Sequence, residues 1–477
     1  MKLNDLILFA ALLLPLTALG GQQNEEQVSA TESSLDEIVQ LAGKGNAEAQ
    51  SKLGAAYALG KGLPQDSSLA ISWFRKSAEQ GHAQGQYNLG VAYYLGEGVQ
   101  QDYAQAVSWF RKAAAQGLSE AQAYLGISYR HGHGVPRDNG QAASWYRKAA
   151  EQGNAFAQNE FGVAHRDGVG VPKNYAQAVN WFRKAAEQGN ADAQTSLGRA
   201  YQNGEGVPQD QGLAVSWFRK AAEQGNADAQ DNLGLAYANA KGVPQDFAQA
   251  TDWFRKAAEQ GHAAAQVRLG FAYRSQDPAQ AVSWFRKAAD QGDASGQFML
   301  GMAYSQGSGV LQDFVQAASW FRKAADQGNA SAQFMLGSAY AGGQGVPQDY
   351  AQSTNWYRKA AEQGDADAQA KMGRAYAGGH GVPQDYKLAA HWLRKAAEQG
   401  NAEAQVGLGL HYGAGFGVPQ DSVLAYAWLN LAASQGKDGA SASRDREAER
   451  LSRSQLAEAQ RLSSNWRKGK SLQREAK

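Results

Sequence analysis

Tryptophan returns at a fixed distance along this chain, at positions 73, 109, 145, 181, 217, 253, 284, 320, 356, 392 and 428. The interval is 36 residues at every step but one, the 31 residues from Trp253 to Trp284. A glycine keeps the same beat, at 54, 90, 126, 162, 198, 234, 270, 301, 337, 373 and 409. The pattern defines eleven units between Asn46 and Gly436, beginning at Asn46, His82, Leu118, Asn154, Asn190, Asn226, His262, Asp293, Asn329, Asp365 and Asn401. A chain so built folds as an array of like elements, each covering its neighbour. Its 477 residues also exceed what one core serves.

The unit from Asn190 to Gly225 shows what each element is. Asn190 is a natural N-cap, and Asp192 in the first turn suits the positive end of a helix. Ala191, Gln194, Leu197, Gly198 and Tyr201 then fall at helical spacing on one face. The segment from Gly204 to Gln209 (GEGVPQ) is a turn, with Gly and Pro where the chain must reverse. Asp210 caps a second helix. In the units where Asp102 and Asp246 hold this place, Gln105 and Gln249 follow three residues on, as in a capping box. Ala214, Trp217, Phe218 and Ala221 form the buried face of the second helix; Arg219 and Lys220 sit toward its negative end, and Gly225 stops it. Each unit is therefore a helical hairpin that cannot bury its apolar face alone. Gly in mid-helix costs roughly 1 kcal/mol against Ala, so the recurrence of Gly198 and its equivalents predicts close helix contact. The 31-residue unit drops five loop residues, and the reading keeps both of its helices whole.

The run Ala-x-x-Gln-x-x-Leu-Gly-x-x-Tyr-x-x-Gly-x-Gly-Val-x-x-Asp-x-x-x-Ala-x-x-Trp-Phe/Tyr-x-Lys-Ala-Ala-x-Gln-Gly resembles the Sel1-like repeat, a relative of the tetratricopeptide repeat. The resemblance covers residues 46–436. It implies an all-α fold, a right-handed α/α superhelical solenoid of eleven helical hairpins with terminal capping helices. Proteins of this kind act mainly as protein–protein adaptors. Exported bacterial members include envelope-assembly factors and host-interaction factors, an immunoglobulin-binding one among them.

The ends depart from the repeat. Lys2, the apolar run Leu6 to Leu14 and the small-residue sequence Ala18-Leu19-Gly20 have the pattern of a secretory signal peptide over 1–20. A short membrane anchor is the alternative, but the run falls short of the ~20 residues a spanning helix needs. The expectation is a periplasmic or secreted protein with no transmembrane segment in the mature chain. Residues 21–33 read as a flexible polar leader. Residues 34–45 align with the second helix of a unit and put Glu37 where Trp belongs, so they read as an N-terminal capping helix. Residues 437–477 supply a Gly/Ser-rich linker over Lys437 to Arg444, a closing helix over Arg446 to Trp466 with Ser454 as N-cap, and a basic tail. That tail is either a solvated end or a weak contact with anionic lipid or cell-wall polymer of the envelope.

Composition narrows the function. The chain has no Cys, which removes thiolate nucleophiles, disulfides and Cys-ligated zinc together. Its 46 basic and 45 acidic residues give no electrostatic reason to expect nucleic acid. No phosphate loop, nucleophile elbow or zinc-protease helix occurs. His131 and His133 could touch a metal but have no third ligand nearby, and His165 replaces a Tyr as a structural residue. No catalytic residue, cofactor or metal is assigned, and the chain reads as a binding protein rather than an enzyme, with a protein or peptide as partner.

Where the partner would bind follows from variation among the copies. Asp192, Thr195, Arg199 and Gln202 mark four positions of the first helix that change freely, a stripe that lines the concave groove in tetratricopeptide geometry. Along this stripe the second unit offers Tyr87 and Tyr94, and the third and fourth offer Arg130 and Arg166. The seventh to ninth offer Phe271, Arg274, Phe298, Met302 and Phe334. Aromatic residues, Met and Arg are the usual anchors of interfaces. The alternative for Phe298 and Phe334 is that they fill gaps between units.

Overall fold

The computed structural model describes residues 35–472, so the signal peptide expected over 1–20 and the leader over 21–33 lie outside the described residues. Among the described residues every regular element is a helix. The unit read above forms two helices, Ala191–Asn203 and Gln211–Glu223, and the other units repeat that plan. The caps are made as the residue types require. Asn190 Oδ1 accepts from the Ala193 N–H at 2.8 Å, and Asp210 Oδ1 from the Leu213 N–H at 2.9 Å. Gly225 takes a φ of 92°, and the helix ends there.

Three local readings are corrected. At Asp102 the capping box is only half made. Gln105 N–H donates to Asp102 Oδ1 at 3.0 Å, but the Asp102 N–H is already spent on Tyr93 O at 2.9 Å. In the short seventh unit the second helix, Pro278–Asp290, is whole, whereas the first, Ala263–Tyr273, stops after 11 residues. Removing the loop forces an earlier exit. At the C-terminus a helix over Ala440–Ala448 fills most of the expected linker. The closing helix is Arg453–Asn465, capped by Ser452 and not Ser454, with Gln455 completing a reciprocal box.

Packing within a hairpin is set by the repeated glycine. A β-carbon on Gly198 would fall 2.6 Å from the Phe218 ring and 3.2 Å from Ala214 O, so only Gly lets the second helix approach. Phe218 is 1% exposed, while Trp217 beside it is only half-buried. The centre of the hairpin is thus the residue after the Trp, an aromatic one in the first nine hairpins and Leu393 and Leu429 in the last two. Trp217 instead lies against the core shared by the fourth hairpin and the first helix of its own, and carries Lys220 Nζ 4.2 Å above its ring.

Stacking between hairpins uses buried polar groups. Gln194 Nε2 donates at 3.1 Å to Ala186 O of the preceding hairpin, and Gln194 Oε1 accepts from Gln224 at 2.7 Å in its own. Gln333 repeats both bonds, with Ala325 and Gln363. A buried amide satisfied on both sides fixes the register of neighbours at little net cost. A second link runs from Arg183 to Tyr201 Oη at 3.3 Å. Where His165 replaces that Tyr, Arg147 turns to Glu151 of its own helix at 3.9 Å.

The ends are closed. Gln50 Nε2 donates to Ala42 O at 3.2 Å, so the helix over 35–43 takes the place of a preceding hairpin's second helix. At the other end Trp466 packs edge-on to Trp428, the Gly469 N–H donates to Glu398 O at 2.7 Å, and Leu472 is buried. The described part of the basic tail therefore lies on the last hairpins.

The chain divides into two compact units, Met1–Phe247 and Ala248–Lys477. The first holds five hairpins and the first helix of the sixth. The second holds the remaining helix of the sixth, hairpins seven to eleven and the closing helices.

Candidate partner-binding surface

The variable stripe is not one uniform surface, because its four positions differ in depth. The second is largely buried between hairpins: Tyr87 is 1% exposed, with Phe110 and Tyr124 ring centroids at 6.1 and 5.7 Å. Tyr87 is therefore a core residue and not a free anchor. Tyr94, at the fourth position, is half-buried; its hydroxyl is 2.7 Å from His133 Nδ1 and its ring meets Tyr103 and Tyr124. That contact also accounts for one of the paired loop histidines. Among the described residues no group of three or more His, Asp or Glu is placed to hold a metal.

Phe298 and Phe334 are half-buried, their rings 6.0 Å from Phe321 and 5.5 Å from Tyr357 respectively. Both fill space between hairpins while keeping an open edge. Phe271 is different, being 48% exposed and packed edge-on to Phe285 at 5.6 Å.

A recurring niche organises these residues. It lies between the first helix of one hairpin, the start of its second helix, and the first helix of the next. Between the seventh and eighth hairpins Ala281, Val282 and Phe285 form its base, with Phe271, Arg274, Phe298, Met299 and Met302 around it. Its volume is about 150 Å³. Apolar space of that size accepts a benzene-sized group. Four of the nine stripe residues named from the sequence, Phe271, Arg274, Phe298 and Met302, meet here; Phe334 does not.

The same frame between the third and fourth hairpins has Ala142, Ala143 and Tyr146 as base, but Arg130, Glu160 and Asp167 around it, and about 50 Å³ of space. Arg130 is ion-paired with Glu160, and Arg166 is bound through two nitrogens to Asp167 at 2.7 and 2.9 Å. Burial pushes the Glu160 carboxyl above the ordinary carboxylate range, against the pull of Arg130. Between the tenth and eleventh hairpins the niche widens to about 610 Å³. There Tyr386 and Phe416 stack at 4.8 Å, and Arg374 pairs with Glu403 at 2.8 Å.

The frame thus stays constant while its lining changes from charged to apolar to mixed. One lining position escaped the sequence reading, that of Asn88, Glu160, Met299 and Gly407. It varies as much as the stripe, and this variation was the available signal. Its place beside the core leucine, as Met299 stands beside Leu300, hid it among core positions.

The family model described as the Sel1 repeat matches eleven successive segments: residues 47–82, 83–118, 119–154, 155–190, 191–226, 227–262, 263–293, 294–329, 330–365, 366–401 and 402–437. Among solved structures, the chain is similar to c5321, a protective antigen present in uropathogenic Escherichia coli strains that displays an SLR fold. The two are 40% identical, over 91% of this chain and 94% of that one, with a TM-score of 0.74. A Sel1 repeat protein from Oxalobacter formigenes is 33% identical over 77% of this chain and 99% of its own, with a TM-score of 0.39. A Sel1 repeat protein from Klebsiella pneumoniae is 26% identical over 42% of this chain and 99% of its own, with a TM-score of 0.29. No curated protein matches the chain.

Proposed function

Because the chain belongs to the Sel1 repeat family, whose members are generally non-enzymatic protein-interaction scaffolds, we propose that it is an exported scaffold holding a protein or peptide partner along its inter-hairpin niches. The observation that carries this reading is the constant frame with a changing lining. Stacking alone explains the frame, since every hairpin must cover the next. It does not require that equivalent positions hold Glu160 in one niche and Met299 in another. A succession of unlike niches suits recognition of an extended partner, one contact per hairpin.

Export rests on the signal-like segment of residues 1–20, and places the work in the periplasm or outside the cell. Among the described residues no helix is long and apolar enough to cross a membrane. The near-balance of charge favours protein over nucleic acid, and the exposed Arg467, Lys468 and Lys470 of the basic tail are the described residues that an envelope contact would use. A second reading has a host protein such as an immunoglobulin as partner, supported by the likeness to a protective antigen. An envelope enzyme is the least supported reading, there being no acid–base or nucleophile signature in the sequence.

The test has two parts. The mature N-terminus is sequenced from protein isolated from the producing cell, where a start near Gln22 is expected. The mature chain is then immobilised in periplasmic extract and in serum, and retained proteins are identified by mass spectrometry. An intact Met1 in a cytoplasmic fraction refutes export. Absence of any saturable protein ligand from both sources refutes the scaffold.

A further inference from the structure

We propose that the niche between the seventh and eighth hairpins receives an aromatic or long aliphatic side chain from an internal segment of the partner, with an Asp or Glu beside it on the same segment. The inference rests on the scaffold reading and specifies its ligand. Two observations carry it, the apolar volume and an unanswered charge.

The volume is lined by Phe271, Phe285, Phe298, Met299 and Met302, and Phe271 is nearly half exposed. Burial of a guest side chain against such a lining contributes favourably, and Met adapts to irregular guests.

The charge is Arg274. It lines the niche, its side chain is exposed, and among the described residues its guanidinium has no hydrogen bond or ion pair. This sets it apart from other cations of the stripe. Arg130 is paired with Glu160, Arg166 with Asp167, Arg199 with Asp228 at 3.5 Å and Arg374 with Glu403 at 2.8 Å. Each of those is answered by a carboxylate of the chain itself. Arg274 occupies the register position of Arg130, and the position of Glu160 is here Met299. The nearest acid in sequence, Asp277, is engaged in capping the Gln280 N–H at 2.9 Å. No acid lines the niche. The counter-charge is therefore left for the ligand to bring, and a guanidinium beside an apolar recess favours a carboxylate next to the inserted side chain. The stripe continues beyond the niche to Phe334, so the segment can run on, and an internal acid fits better than a chain terminus.

The experiment uses the mature full-length chain and a displayed library of random 12-residue peptides tethered at both ends. The prediction is that enriched peptides carry Asp or Glu close to Phe, Trp, Leu or Met. Synthetic versions should bind Arg274→Glu or Phe271→Ala at least about tenfold more weakly. Both side chains are exposed, so circular dichroism of the variants should match the parent. Reselection on Arg274→Glu should exchange the acids for Lys or Arg. Enriched peptides without acidic bias, or with a bias unaffected by Arg274→Glu, overturn the inference. So does binding that requires a free peptide C-terminus in a parallel library. If no peptide is enriched while extract or serum proteins are still retained, this ligand class is wrong and the scaffold stands. If neither is retained, the scaffold reading itself has failed.

Discussion

The ring of Phe218 closes on Gly198 so tightly that a β-carbon there would lie 2.6 Å from Phe218 Cε1. This contact brings the two helices of the fifth hairpin together, and its equivalents recur along the chain, as between Gly301 and Phe321 or Gly337 and Tyr357. Gly198→Ala should therefore destabilise the hairpin, although Ala gains about 1 kcal/mol of helix propensity. Overpacking of this kind costs about 1–3 kcal/mol, and Ala214 O leaves no room for retreat. Amide exchange resolved to Ala191–Asn203 and Gln211–Glu223 checks it; slower exchange in the variant would contradict the packing.

The depth of the two aromatic neighbours predicts an order of effects. Phe218→Ala should cost about 3–5 kcal/mol, as for a fully buried aromatic residue. Trp217→Ala should cost less, since Trp217 is half-buried and partly covered by Lys220. Denaturant unfolding of the two variants, followed by exchange in the fifth hairpin, gives the comparison. An equal or larger loss for Trp217→Ala would mean that the larger ring is the true anchor.

Ala240 has a φ of 54°, in the left-handed region where equivalent turns use Gly. An L side chain there costs roughly 1–2 kcal/mol, and Gly returns part of this as unfolded-chain entropy. The substitution Ala240→Gly should thus stabilise the sixth hairpin by about 0.5–1 kcal/mol. A thermal or denaturant midpoint that stays put or falls would show the backbone to be unstrained.

His411 stands where most units have Ala, buried, with Nδ1 2.8 Å from Phe416 O. Burial holds its imidazole below the ordinary histidine range, the Phe416 carbonyl opposing. The folded state therefore binds its proton less readily than the unfolded chain. Its contribution to stability is complete above the ordinary histidine range and is lost as pH falls from there toward the depressed folded value. The eleventh hairpin should loosen over that window, seen as faster exchange in Ala402–Ala414. His411→Ala should remove the slope. An unchanged slope in that variant would assign the effect to another group.

Periodicity determined most of the architecture. The recurrence of Trp, of Gly198 and its equivalents, and of Asn190 and Asp210 at helix starts specified the hairpin, its caps and its close contact. Each of these is a local demand, made by backbone torsion, capping or the absence of a β-carbon, and is written in residue type at fixed spacing. The C-terminal helix Ala440–Ala448 was not legible, because its Ser, Asp and Arg residues favour solvent and turns as readily as helix.

Depth and pairing were decided only in three dimensions. From the sequence, Tyr87 and Phe271 look alike, two aromatic residues on one variable stripe. In the fold the first is sealed between Phe110 and Tyr124, and the second is left open near the end of a shortened helix. Likewise Arg130 and Arg274 share a register position, yet one meets Glu160 and the other faces Met299. The residues that settle these fates, Phe110, Tyr124, Glu160 and Met299, lie on the hairpin's second helix or on the next hairpin, far outside the periodic neighbourhood of one helix. Period and spacing describe one helix at a time, whereas burial and charge compensation are properties of the space between two hairpins.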